Sequence, residues 1–170
     1  MTFIEQYREV SEIFRELEIV RDHNLKMAET HGKWVPGYLS FAEGLLVLLG
    51  IERFLRVILG AKATDADTLP NLLEKATSAC LNLLTLPPWW KREETITALK
   101  NVRNALMHGN YEQAAKQSGR QHREEYFRSS TYTNEVETLR RILHGFCAQI
   151  DPENGKPRTP RPPWPDPRAT

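Results

Sequence analysis

Apolar residues recur three and four positions apart along most of this 170-residue chain, a period that suits helices and little else. Tyr7, Val10, Phe14, Leu17 and Val20 form one such stripe and predict a first helix over 4–30, with Gly32 as its stop. After the turn "KWVPGY", Ser40 and Glu43 stand as a capping box for a second helix that ends before Gly60. Its segment "LLVLLGIERFLRVILG" is apolar on most sides, as the central helix of a bundle would be. A third helix is predicted from Pro70, which suits a first turn, through "NLLEKATSACLNLL". "TLPPWW" breaks the chain, and a fourth helix over 91–108 buries Ile96, Leu99, Val102 and Leu106 before Gly109 stops it. Asn134 and Glu137 are the expected cap of a last helix whose inward face is Leu139, Ile142, Leu143, Phe146 and Ile150. With no alternating strand pattern and no internal repeat, the expected fold is all-α, an up-and-down bundle of four to five helices over 1–150.

Two segments fall outside that bundle. The stretch 111–133 is polar and is basic around Arg120, Arg123 and Arg128, with Tyr126 and Phe127 among the cations. It reads either as a solvated loop or as an RNA path in which cations meet phosphates and rings stack on bases. From Asp151 onward, "DPENGKPRTPRPPWPDPRAT" is rich in proline and has no core pattern, so a disordered or polyproline tail is expected over 151–170.

Composition narrows the function classes. A net charge of +1 gives no global argument for nucleic-acid binding, so any basic surface must be local. Cys80 and Cys147 are too few for a disulfide scaffold or a zinc site and suit a reducing cytoplasm. The N-terminal "MTFIEQYREV" is amphipathic and acidic, unlike a signal peptide, and Glu52, Arg53 and Arg56 interrupt the most apolar run, so no membrane partner is expected. No His, Cys or carboxylate set has ligand spacing, so neither a metal nor another cofactor is expected.

Chemistry concentrates in "NVRNALMHGNY", residues 101–111. Asn104 and His108 are four apart and share a helix face, and the long side chain of Arg103 reaches the same patch. His108 falls in the last turn, where unpaired carbonyls favour an imidazolium. A guanidinium fork and a titratable imidazole together suit a phosphodiester: the first binds non-bridging oxygens and the second moves protons. RNA brings its own nucleophile, the 2′-hydroxyl. The same three residues are also compatible with a polar helix edge that ends in a favourable cation.

"RNALMH" at the end of the fourth helix resembles the HEPN superfamily, whose hallmark is Arg, four to six residues, then His, often with a polar residue directly after the Arg. Arg103, Asn104 and His108 match the four-residue form, and "HGNY" and "STYTNEVETLRRIL" add to the likeness. The resemblance implies a metal-independent endoribonuclease of a defence, stress or toxin–antitoxin system, acting as a homodimer through the motif helices. It implies His108 as general acid or base, Arg103 as the group stabilising the phosphorane, and Asn104 as their orienter. Many family members are instead silent RNA-binding or dimerisation modules. Members paired with an adenylylating antitoxin carry Tyr two residues after the His; here Asn110 stands there and Tyr111 follows. A polar residue on the second helix often faces the motif, a place that Glu52 fills unless it pairs with Arg56 at i,i+4. His23, His31, His122 and His144 read as surface residues, and Trp89 and Trp90 as a plug at one end of the bundle or a stacking platform.

Overall fold

The computed structural model describes residues 2–31, 38–89, 91–107, 126–127 and 129–165. Among them the chain is an all-α bundle: α1 (Phe3–His31), α2 (Tyr38–Leu59), α3 (Leu69–Thr77), α4 (Arg92–Met107) and α5 (Ser130–Gln149). The element α2 touches each of the other four, the position its apolar circumference demands. Val47, Ile51, Phe54 and Leu55 from α2 meet Leu17, Leu72, Leu99, Leu139, Leu143 and Phe146 in one core. No helix among the described residues is long and apolar enough to cross a membrane.

Several boundaries differ from expectation for local reasons. At the start of α1, Thr2 and Glu5 form a reciprocal cap, Thr2 N donating to Glu5 Oε2 (2.7 Å) and Glu5 N to Thr2 Oγ1 (3.3 Å). Helix α2 begins at Tyr38, ahead of the expected cap at Ser40, and Glu43 is buried in the interior of the bundle. Its carboxylate accepts from Arg21 (3.2 Å) and Asn24 (3.0 Å) of α1. Gly60, at φ +53°, ends α2 as expected.

Helix α3 stops at Thr77 and does not continue to Leu84: Ser78 is extended and Asn82 takes φ +44°. Leu83 N and Leu84 N then both donate to Ala76 O, which closes the turn and returns Leu84 to the core. The cap of α5 is Ser129, whose hydroxyl accepts from Tyr132 N, so Asn134 and Glu137 lie inside the helix.

An ionic seam joins α1, α2 and α5. Glu137 receives Arg21 (2.5 Å), Arg140 (3.0 Å) and Arg141 (2.9 Å), while Glu18 takes Arg140 (3.4 Å) and His144 (3.0 Å). Burial raises the pKa of Glu137, but the hydrogen bonds from Arg140 and Arg141 outweigh it and hold the carboxyl below its usual range.

Within the proline-rich segment the structure describes residues 151–165, and residues 166–170 lie outside the described residues. Asp151 N donates to Lys156 O and Arg158 N to Gln149 O, around a turn at Gly155, so the chain reverses along α5 as a strap. Trp164 then packs on Phe146 and Trp89, with ring centroids 6.1 Å and 6.3 Å away. Gly145 makes the notch, since a Cβ there would overlap the indole. Gly145→Leu should therefore displace Trp164 and cost about 1–3 kcal/mol of overpacking. Faster tryptic cleavage after Arg158 than in the wild type checks this, and an unchanged rate contradicts it.

Candidate active-site face

The amphipathic pattern of α4 decides where its polar residues point. Ala98, Leu99, Val102 and Ala105 are buried, which leaves Arg103 exposed and Asn104 half-buried on the outer side. Arg103 makes no hydrogen bond or ion pair among the described residues, so its guanidinium is available to an anion. It borders two shallow grooves. One, about 230 Å³, is lined by Leu45, Leu48, Leu49 and Glu52 of α2 with Leu69. The other, about 290 Å³, brings Lys100, Asn104, Thr68 and Pro70 beside Arg103.

Glu52 lies on the expected face, but its carboxylate accepts from Arg56 Nε at 3.0 Å. Arg56 also reaches Thr64 O (3.0 Å) and Asp67 O (3.3 Å), fixing the loop after α2. Glu52 therefore both pairs with Arg56 and lines the Arg103 groove. His108, Tyr111, Arg120, Arg123 and Arg128 lie outside the described residues, as does Trp90. Tyr126 and Phe127 are buried, which removes them from any exposed stacking path. Their rings pack on Tyr132 with centroids 5.3 Å and 5.0 Å apart.

Two further features belong to this face. Glu135 of α5 accepts from Asn101 Nδ2 of α4 (2.8 Å) and from the Tyr126 hydroxyl. Burial pushes the Glu135 carboxyl up, against the two hydrogen bonds that favour its charged form. This contact anchors the inner side of α4 one half-turn before Arg103. No spacing signal links Asn101 to Glu135, because they lie on different helices.

The second feature is an apolar row. Phe41, Leu45 and Leu49, each four residues apart, are 36%, 41% and 51% exposed on α2. Phe41 has Phe127 against one side (4.5 Å), while Leu45 and Leu49 border the Arg103 groove. The excess of apolar surface on α2 was legible in its sequence, and the structure gives the residues of it that lie exposed. No protein-family model, curated protein or solved structure matches the chain.

Proposed function

We propose that the protein is a metal-independent endoribonuclease that works as a two-fold dimer, with Arg103, Asn104 and His108 as its catalytic residues. The observation that supports this reading best is Arg103, an exposed guanidinium without a partner among the described residues, set beside the exposed Leu45 and Leu49. Apolar residues left in water beside a free cation suit a second protein surface that closes one side of an anion site. On an ideal helix Arg103 and His108 are about 140° apart, five steps of ~100°, so one chain aims them poorly at one phosphate. A two-fold axis along α2 and α4 supplies a second Arg and a second His.

In that cleft one His108 takes the proton of the 2′-hydroxyl as its oxygen attacks phosphorus. Arg103 binds the non-bridging oxygens of the phosphorane as a fork. The same His108, protonated in that step, gives its proton to the departing 5′-oxygen, leaving a 2′,3′-cyclic phosphate and a 5′-hydroxyl. Glu52, fixed by Arg56, and Tyr111 are candidate supporting groups, and Arg120, Arg123 and Arg128 are the candidate RNA path. Such an activity fits a defence, stress or toxin–antitoxin role with a protein that restrains it. A second reading, a non-catalytic RNA- or protein-binding dimer module, draws on the same apolar row, which needs a partner whatever the chemistry.

One experiment separates these readings. Cleavage of RNA should persist in excess EDTA and should fall together with the dimer in a Leu45→Lys, Leu49→Lys variant, followed by gel and light scattering. Loss of activity in EDTA with recovery in magnesium or manganese contradicts the chemistry. A wild type that binds RNA and never cuts it selects the module, and a wild type that stays monomeric with and without RNA removes the composite site.

A further inference from the structure

A separate cavity, about 470 Å³, opens between α5 and the strap, larger than either groove beside Arg103 and within the size range of small-molecule sites. Its apolar lining includes Trp89, Trp164, Pro162 and Pro163, flat surfaces against which a planar ring packs well. Its titratable lining comes from one helix, Arg140, Arg141 and His144, while Gln149 of the same helix is tied to Thr85.

These three are not equivalent. Arg140 is committed to Glu137 (3.0 Å), Glu18 (3.4 Å) and His144 (3.0 Å). His144 Nε2 is held by Glu18 (3.0 Å) while its ring sits edge-on against Phe14, and burial pushes the imidazole below its usual value. Arg141 donates only its Nε, to Glu137 (2.9 Å), and its two terminal nitrogens have no hydrogen-bond partner among the described residues. The cavity thus offers one open guanidinium edge with carboxylates close behind it.

That arrangement selects the anion. A carboxylate has one charge and two oxygens at the spacing of the fork. A phosphate dianion would set a second negative charge near Glu137 and Glu18, and among the described residues that line the cavity no further unpaired cation meets it. We propose that this cavity binds a small planar aromatic carboxylate, its ring against Trp164 and the strap prolines and its two oxygens on the terminal nitrogens of Arg141. The site is independent of the ribonuclease reading and stands whether or not that reading holds.

Titration calorimetry on the full chain tests it, with 1-naphthoate as probe and 1-naphthalenemethanol, 1-naphthyl phosphate and acetate as comparators. The expected result is saturable binding of 1-naphthoate at one site per chain, about tenfold or more tighter than any comparator. Arg141→Gln should weaken 1-naphthoate about tenfold while leaving the alcohol unchanged, and Arg141→Lys, which keeps charge without the fork, should lie between. Ala148→Phe, at an exposed position that lines the cavity, should fill it and remove binding. Circular dichroism melts show which variants are folded, and the two Arg141 variants decide the matter alone if Ala148→Phe is not. The proposal is overturned by no saturable heat with 1-naphthoate, by equal or tighter binding of the alcohol or phosphate, or by folded Arg141 variants that bind like the wild type.

Discussion

His108→Ala and Arg103→Ala should each lower RNA cleavage by about 10²–10⁴-fold, the usual contribution of a general acid–base or a charge-stabilising group. The expected losses differ in kind. Removing the imidazole deletes the proton transfer and should leave RNA affinity nearly intact. Removing the guanidinium deletes a charge-assisted contact to phosphate, so affinity should fall along with turnover. Neither change should destabilise much. Arg103 is exposed and makes no ion pair among the described residues, so Arg103→Ala is expected to stay within about 0.5 kcal/mol of wild type. Asn104→Ala should be milder in rate, near the ~1 kcal/mol of one neutral hydrogen bond. Single-turnover rates and thermal melts of the same preparations check all three. A folded His108→Ala that cuts as fast as wild type would place the activity elsewhere.

Phe146→Ala should behave in the opposite way, with a large loss of stability and an indirect effect on chemistry. Its ring is fully buried, lies 6.2 Å from Phe54 in the core and 6.1 Å from Trp164 of the strap. Truncation removes contacts on both sides and leaves a cavity that the strap alone cannot fill. The expected cost is about 3–5 kcal/mol, a large part of the ~5–15 kcal/mol that holds a typical domain. The melting temperature should drop by roughly 10 °C, at ~2–4 °C per kcal/mol for a chain of this size. Denaturant titration against wild type measures it; a shift under about 1 kcal/mol would mean that the Phe146 contacts are poorly packed.

The comparison of Phe146 with Arg103 also shows what the sequence makes legible. Apolar stripes on α1, α4 and α5 follow one helix at a time, so Leu17, Leu99 and Leu139 could be assigned to the core from spacing alone. Caps were less legible, because several Ser, Asn and Glu residues near one boundary compete for the role. Ser129 takes the cap of α5, and Glu43 turns inward to Arg21 and Asn24. The strap was not legible for a different reason: proline-rich chain has no period, and Trp164 docks through a complementary notch at Gly145 that only the folded helix creates. At the candidate site, the sequence gives the local order of Arg103, Asn104 and His108. It carries no sign that Asn101 and Glu135 anchor the same helix from behind, since cross-helix contacts leave no mark on spacing. Likewise Tyr126 and Phe127 look like exposed aromatics among cations, yet the core takes them in.

Mixing Arg103→Ala with His108→Ala tests the composite site most directly. Each inactive homodimer lacks one kind of group at both positions. In a heterodimer whose sites take Arg from one chain and His from the other, one of the two sites is intact. Equal parts of the two variants, allowed to exchange subunits, form about half heterodimers, so the mixture should recover about one quarter of the wild-type rate. Recovery near that level, appearing with the time course of exchange, is the predicted result. A mixture that remains as inactive as its components, although light scattering and mass spectrometry show heterodimers, would contradict a site shared between two chains.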